Sequence, residues 1–212
     1  MCGSFIDRIK FEEIENKIIN CNKCSRLISV TPYPMSHVCY AKSINNIKIA
    51  LFARNPGLEN DSSKILSKDF LNFVHDKWKD CRIGKYFRKH LGDDIIFNYV
   101  FFSNICKCSS PFNSKLKQEE IDNCLNFSLK QILEIKPEIL LTFGQECLSA
   151  LNPLLNLYMC FGKVYEYKIN NFKCAHIPLY HPSYFIYKIN KEKEYKQINI
   201  LQVIKKRYSK NF

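Results

Sequence analysis

The chain has 212 residues, 46% of them hydrophobic and 25% charged, with 11 cysteines and a formal net charge of +12. That composition excludes a disordered tail or a fibrous repeat, and the length suits one domain over residues 1–212 with its own apolar core. No apolar run approaches the ~20 residues that cross a bilayer, and the acids in MCGSFIDRIKFEEIENK leave no stretch for a signal peptide. The expectation is a cytoplasmic protein with no membrane partner. With 32 Lys and Arg against 20 Asp and Glu, nucleic acid is the first polyanion to consider, although a lysine-rich proteome would leave the same imprint.

In chain order, FIDRIKFEEIENKIIN (5–20) sets Phe5, Ile6, Ile9, Ile14 and Ile18 near one helical face, and the helix gives way to the loop-like CNKC. IKIALFAR (47–54) reads as a short buried strand that runs into the turn Asn55-Pro56-Gly57. A helix is expected over 62–91, with Phe70, Phe73, Val74 and Trp78 at helical spacing. DIIFNYVFFSNI (94–105) reads as a second strand, apolar on both faces. KQEEIDNCLNFSLKQILEI (117–135) is an amphipathic helix ahead of Pro137, and EILLTFG (138–144) is a third buried strand turning at Gly144. KVYEYKI and FKCAHIPLY flank Asn170-Asn171 as a hairpin, and the chain closes on a basic helix with Ile198, Leu201 and Ile204 as its stripe.

Strands alternating with helices predict an α/β fold: a three-layer α/β/α arrangement around a central, mostly parallel, four-stranded sheet. Ligands of such sheets sit at the carboxyl ends of the strands. Those ends carry Arg54-Asn55-Pro56-Gly57, Ser103-Asn104, Gly144-Gln145 and His181-Pro182-Ser183. Taken singly, Asn-Pro-Gly and His-Pro-Ser are ordinary turns and a strand-end asparagine is an ordinary cap. Their common placement is what points to a site.

In a reducing compartment clustered cysteines serve as metal or cluster ligands more often than as disulfides. Cys21 and Cys24 form a Cys-x-x-Cys pair, and Cys108 and Cys124 form a second pair, with Cys106 an alternative to Cys108. Four thiolates can hold zinc or a 4Fe–4S cluster, and spacing alone does not choose between them. A redox dithiol would follow the first strand of its fold, whereas CNKC follows a helix. Cys39, Cys81, Cys147, Cys160 and Cys174 read as small buried apolar residues.

The succession CNKC, ARNPGLEN, FSNICKCSSPFNSKLKQEEIDNC, IKPEILLTFGQECLSAL and HPSYF resembles the iron–sulfur uracil-DNA glycosylases of the uracil-DNA glycosylase superfamily over most of residues 20–187. The block from Asn104 to Leu151 is the most specific part. The resemblance implies a monomeric, monofunctional DNA N-glycosylase in which Cys21, Cys24, Cys108 and Cys124 hold a structural 4Fe–4S cluster, with zinc the alternative. It makes Asn104 the reader of the flipped pyrimidine's edge. It makes His181 the donor to the oxygen that turns anionic as the base leaves, while Pro182 and Ser183 press on the DNA backbone. Arg54, Gly57 and Phe70 complete the expected base-binding set.

Two departures stand out. The family's first motif usually reads Gly-Glu-Ala-Pro-Gly, whereas this chain has Ala53-Arg54-Asn55-Pro56-Gly57. Asn55 then falls where mismatch-specific members carry an asparagine that positions water, so Asn55 becomes the expected catalytic partner of His181. The Gly-x-Pro-Phe-x-Gly segment that supplies a stacking aromatic is missing, leaving Phe70 or Phe73. A remodelled pocket admits a larger pyrimidine than uracil, including a modified base of phage DNA in a defence role. A DNA-binding module that keeps the fold and cluster without catalysis, and an electron-transfer protein, are the competing readings.

Overall fold

The computed structural model describes residues 7–30, 34–37, 39–57 and 82–209. Within them the chain runs α1 (Arg8–Ile19), α2 (Ser25–Ile28), β1 (Cys39–Tyr40), β2 (Ile49–Ala53), α3 (Arg82–His90) and α4 (Asp93–Tyr99). It continues through β3 (Val100–Asn104), α5 (Gln118–Ile135), β4 (Ile139–Phe143), α6 (Gln145–Leu151) and α7 (Leu157–Cys160). β5 (Tyr165–Ile169), β6 (Phe172–Leu179), α8 (Tyr184–Tyr187) and α9 (Lys191–Ser209) complete it.

The strands form one sheet in the order β1-β3-β2-β4-β6-β5. β3, β2, β4 and β6 run parallel, while β1 and β5 pair antiparallel at the two edges. The α/β class and the mostly parallel sheet are as expected, but the described sheet has six strands rather than four. The extra strands are the edges: β1 has two residues, too few for a periodic signal, and β5 is the outer arm of the hairpin. The hairpin turns at Asn170 with φ +52, a conformation asparagine tolerates better than most residues.

Every residue of β2, β3 and β4 is buried, which is why their sequences are continuously apolar instead of alternating. One face of the sheet packs Ile49, Leu51 and Leu141 against Phe87, Ile95 and Leu201, from α3, α4 and α9, and against Leu91 between α3 and α4. The opposite face packs Ala50, Phe52, Phe101 and Leu140 against Phe11, Ile132 and Leu151, from α1, α5 and α6. These two apolar layers give the three-layer arrangement.

Three local expectations change. Residues 94–99 are helical, and the strand begins only at Val100. An apolar run does not distinguish a buried helix from a buried strand. Asp93 and Asp94 in the first turn of α4, behind Gly92 at φ +87, favour the helix because acids complement its positive end. In α1 the buried residues are Phe11 and Ile18, whereas Ile9 is 70% exposed, so the apolar face is rotated from the expected one. In α9 the buried stripe is Gln197, Leu201, Ile204 and Tyr208, with Ile198 half-buried. Of the helix expected over 62–91 only the part from Arg82 is described, and Phe70 and Phe73 lie outside the described residues. No described helix is long and apolar enough to cross a membrane.

His176 on β6 is fully buried, with Nε2 2.9 Å from Thr142 Oγ1 on β4. Burial pushes its pKa from 6.5 down to about 4. The unfolded chain therefore takes up a proton below pH 6.5 that the folded chain refuses, and stability falls as pH drops towards 4. We expect His176 to account for a loss of roughly 3 kcal/mol between about pH 8 and pH 4. Urea denaturation across pH measures it, and His176→Gln should remove that part of the slope.

Candidate functional site at the carboxyl rim of the sheet

The parallel pairing sets the site. Ala53 of β2 lies opposite Asn104 of β3. The ladder continues past the strand ends, with Ile105 N donating to Ala53 O at 2.8 Å and Cys106 N to Arg54 O at 2.9 Å. The Asn55 turn and Asn104 therefore leave the sheet side by side. On the far side Gly144 N donates to Leu179 O at 2.9 Å, so β4 and β6 end together just before His181. Gly144 makes its turn at φ +89, which suits a residue without a Cβ.

Asn104 is 3% exposed, and its backbone carbonyl accepts from Lys107 Nζ at 2.6 Å and from Ser128 Oγ at 3.4 Å. Among the described residues nothing hydrogen-bonds its side-chain amide. A planar donor–acceptor array is thus held at the rim by its backbone alone.

The Asn55 amide is oriented from both ends. Arg54 Nε donates to its Oδ1 at 2.7 Å, and its Nδ2 lies 3.4 Å from Ser110 Oγ. Arg54 also pairs with Glu146 at 3.2 Å and donates to Asn113 O at 3.4 Å. The arginine expected in the base-binding set is therefore engaged with Asn55, Glu146 and the 111–113 turn. Asn55 Oδ1 keeps a second lone pair for water. Among the described residues nothing lies within 4 Å of where a Gly57 Cβ would stand, and the Gly57 carbonyl accepts from Ser109 Oγ at 3.5 Å.

His181 has a defined tautomer. The backbone N–H of Ser183 donates to its Nδ1 at 3.2 Å, and Ser183 Oγ lies 2.7 Å from the same atom. A backbone N–H only donates, so Nδ1 is the acceptor and the ring proton sits on Nε2. Burial, with the positive charges of Arg54 and Arg82 adding to it, pushes the His181 pKa down to about 4. The ring is neutral at physiological pH and keeps one N–H to donate. Pro182 is buried behind it, and Ser183 leads into α8.

The cysteines converge on a second place. Cys21, Cys24, Cys108 and Cys124 line one cavity together with Lys107 and Phe127. Cys106 is fully buried outside that lining, with its Sγ 4.0 Å from Glu120 O and hydrogen-bonded to Cys124. That bond holds the Cys124 thiol below its usual pKa, while burial raises Cys108 and Cys24. Among the described residues no three His, Cys, Asp or Glu side chains converge tightly enough to hold one metal ion. The four thiols ring a space instead, a donor set that fits a cluster of several iron atoms. Cys147, Cys160 and Cys174 are buried, as expected of packing residues, and Cys81 lies outside the described residues.

Two features escape sequence reasoning. Lys107 is 1% exposed and bridges the two places, donating to Asn104 O, to Ser103 Oγ at 2.9 Å and to Gln131 Oε1 at 2.8 Å. Its only signal is its place before Cys108. Arg26, just after CNKC, forks onto Glu120 of α5, with Nε to Oε1 at 2.7 Å, and donates to Ser114 Oγ at 3.0 Å. Arg26 holds the Glu120 carboxyl below its usual range. Nothing in the sequence pairs two charges so far apart.

The model of the uracil DNA glycosylase superfamily matches residues 41–203. The type-4 uracil-DNA glycosylase of Saccharolobus solfataricus is 33% identical over 93 residues, covering 42% of this chain and 43% of that protein. Its namesake from Sulfurisphaera tokodaii is 26% identical over 207 residues, covering 93% and 87%. That of Archaeoglobus fulgidus is 28% identical over 101 residues, covering 45% and 51%. The aligned stretch thus spans about half or less of two of these relatives and most of the third. The chain belongs to the uracil DNA glycosylase superfamily.

A half-buried, desolvated histidine facing Arg54 and Arg82 should resist protonation. Proton titration followed by NMR of the His181 ring should show no protonation until well below its ordinary value, with a midpoint near 4. Arg54→Ala, which removes one of the opposing charges, should move that midpoint upward.

Proposed function

We propose that this chain is a monofunctional uracil-DNA glycosylase, acting as a monomer in the cytoplasm. The observation that carries the reading is the shared rim. An Asn104 amide with no hydrogen-bond partner among the described residues and a neutral, Nε2-protonated His181 stand at carboxyl ends of one parallel sheet, with an oriented Asn55 between them. The family membership and the type-4 names of the relatives support it.

The glycosidic carbon is unreachable inside a duplex, so the nucleotide must swing out of the stack. The +12 charge draws the backbone to the surface, and Pro182-Ser183 meet it beside the site. Asn104 offers its amide to the O4 and N3–H edge of uracil. The bond from C1′ to the base nitrogen then breaks, and its electron pair passes into the ring. Negative charge collects on O2, where the His181 Nε2–H donates without needing to transfer its proton. Water held by Asn55 Oδ1 adds its oxygen to C1′. One of its protons ends on the uracil nitrogen and the other stays in the sugar hydroxyl. Charge in the departing ring makes a strong base unnecessary, which is how an amide serves where other members carry an acid.

Cys21, Cys24, Cys108 and Cys124 would hold a 4Fe–4S cluster, which would supply a structural tie between the N-terminal segment and the segment 106–124, the loop before α5 and its first turns. Cys108 is assigned in place of Cys106 because it lines the cavity. Purified wild type should be brown, with about four irons per chain. Cys108→Ala should lose iron and colour, while Cys106→Ala should keep both. The reverse would reassign the ligand, and colourless protein containing zinc would replace the cluster.

Base release is the direct test. Incubated with uracil DNA and then alkali, wild type should leave breaks at uracil. Asn104→Ala and His181→Ala should each slow release about 100-fold or more. Release confined to phage DNA with modified cytosines would make the enzyme a defence glycosylase. Binding without release from any substrate would leave a DNA-binding module.

A further inference from the structure

Phe112 occupies an unfavourable position twice over. Its ring is 97% exposed, so the apolar side chain gains almost nothing from the fold. Its backbone lies at φ +51 and ψ +29, in the left-handed region that favours glycine. Asn113 follows at φ +54. The turn nevertheless keeps one shape, because it is fastened from several sides. Asn113 N donates to Ser110 O at 3.1 Å, Ser114 N to Pro111 O at 2.9 Å, and Ser110 Oγ to Ser114 O at 2.8 Å. Arg54 holds Asn113 O at 3.4 Å, and Arg26 holds Ser114 Oγ at 3.0 Å.

The same fastenings locate the ring. Ser110, at the base of the turn, contacts the Asn55 amide, and Arg54 reaches the residue after Phe112. A rigid aromatic thus projects into solvent at the lip of the site, and the exposed Lys115 and Lys117 follow it. A flat apolar ring flanked by cations on a basic protein matches the chemistry of a nucleobase on a phosphate backbone. Strain kept without a folding benefit is the mark of a residue held for binding.

We propose that Phe112 is a base-stacking wedge: its ring stacks on a nucleobase of the DNA strand adjoining the flipped-out nucleotide. The inference rests on the glycosylase reading for its ligand. It assigns this residue a contact with DNA outside the base pocket. The fixed turn delivers the ring without an ordering cost at the moment of binding.

The test uses the full chain and a fluorescein-labelled oligonucleotide carrying 2′-fluoro-2′-deoxyuridine, whose glycosidic bond resists hydrolysis, as single strand and as duplex. Phe112→Gly and Phe112→Ala should weaken binding about tenfold or more, and Phe112→Trp should retain it. Phe112→Gly removes the strain, so its Tm should stay unchanged or rise by up to about 4 °C. A structural role would lower the Tm instead and overturn the proposal. So would a Phe112→Gly variant with wild-type affinity. Uracil release by wild type is measured alongside. Release with affinity indifferent to Phe112 overturns the wedge alone. Binding that depends on Phe112 without release supports the wedge and overturns the enzyme. No binding by wild type overturns both.

Discussion

Four parallel strands that end together are the constraint on which everything else depends. β3, β2, β4 and β6 are buried along almost their whole length, and buried backbone must stay paired. The chain is free to turn only where the sheet stops, and it stops on one rim. Polar residues that would be costly inside the sheet become affordable there. Asn104, Arg54-Asn55, Gly144 and His181 are neighbours because the register of the ladder puts them there, not because they lie close in sequence. Hydrogen bonds behind the rim then set each group. Lys107 fixes the Asn104 carbonyl, Arg54 fixes the Asn55 amide, and Ser183 fixes the His181 tautomer.

The cysteine segments attach to this frame by a polar device. The stretch after α1 contributes Cys21 and Cys24 to one cavity, the loop before α5 contributes Cys108 and α5 itself Cys124, and the Arg26–Glu120 fork joins these segments across the sequence. Glu120 is 5% exposed and also accepts from the backbone N–H of Lys117 at the start of α5. One carboxylate thus caps a helix and anchors the N-terminal segment. The pair is only half-buried, and its two-point geometry ties the N-terminal segment to the start of α5. Its neighbour, the 110–114 turn, lies between the thiol cavity and Asn55, so the N-terminal segment and the rim share a boundary.

The parts visible in the sequence are those with a repeating pattern. The helix expected at 117–135 is found over Gln118–Ile135, and the apolar strands expected at 47–54 and 138–144 and the Asn170-Asn171 hairpin form where their composition places them. The strand-end polar residues were legible because turn residues interrupt apolar runs at those points. What stayed hidden lacks periodicity. Residues 94–99 suit helix and strand equally in apolar content, and two aspartates at the head tip the balance. Lys107, Arg26 and Glu146 act through single long-range contacts, and among 32 basic and 20 acidic residues no pattern marks them. Phe112 is one of 16 phenylalanines, and only its exposure and dihedral set it apart.

The central claim is that the rim receives an everted pyrimidine nucleotide. It is tested most directly by a crystal structure of the protein bound to a duplex carrying 2′-fluoro-2′-deoxyuridine. The uracil should lie out of the helix, with its O4 and N3 edge on the Asn104 amide, O2 within hydrogen-bond reach of His181 Nε2, and C1′ facing a water on Asn55. A uracil still stacked in the duplex, or one everted onto another surface with Asn104 and His181 left empty, would contradict it.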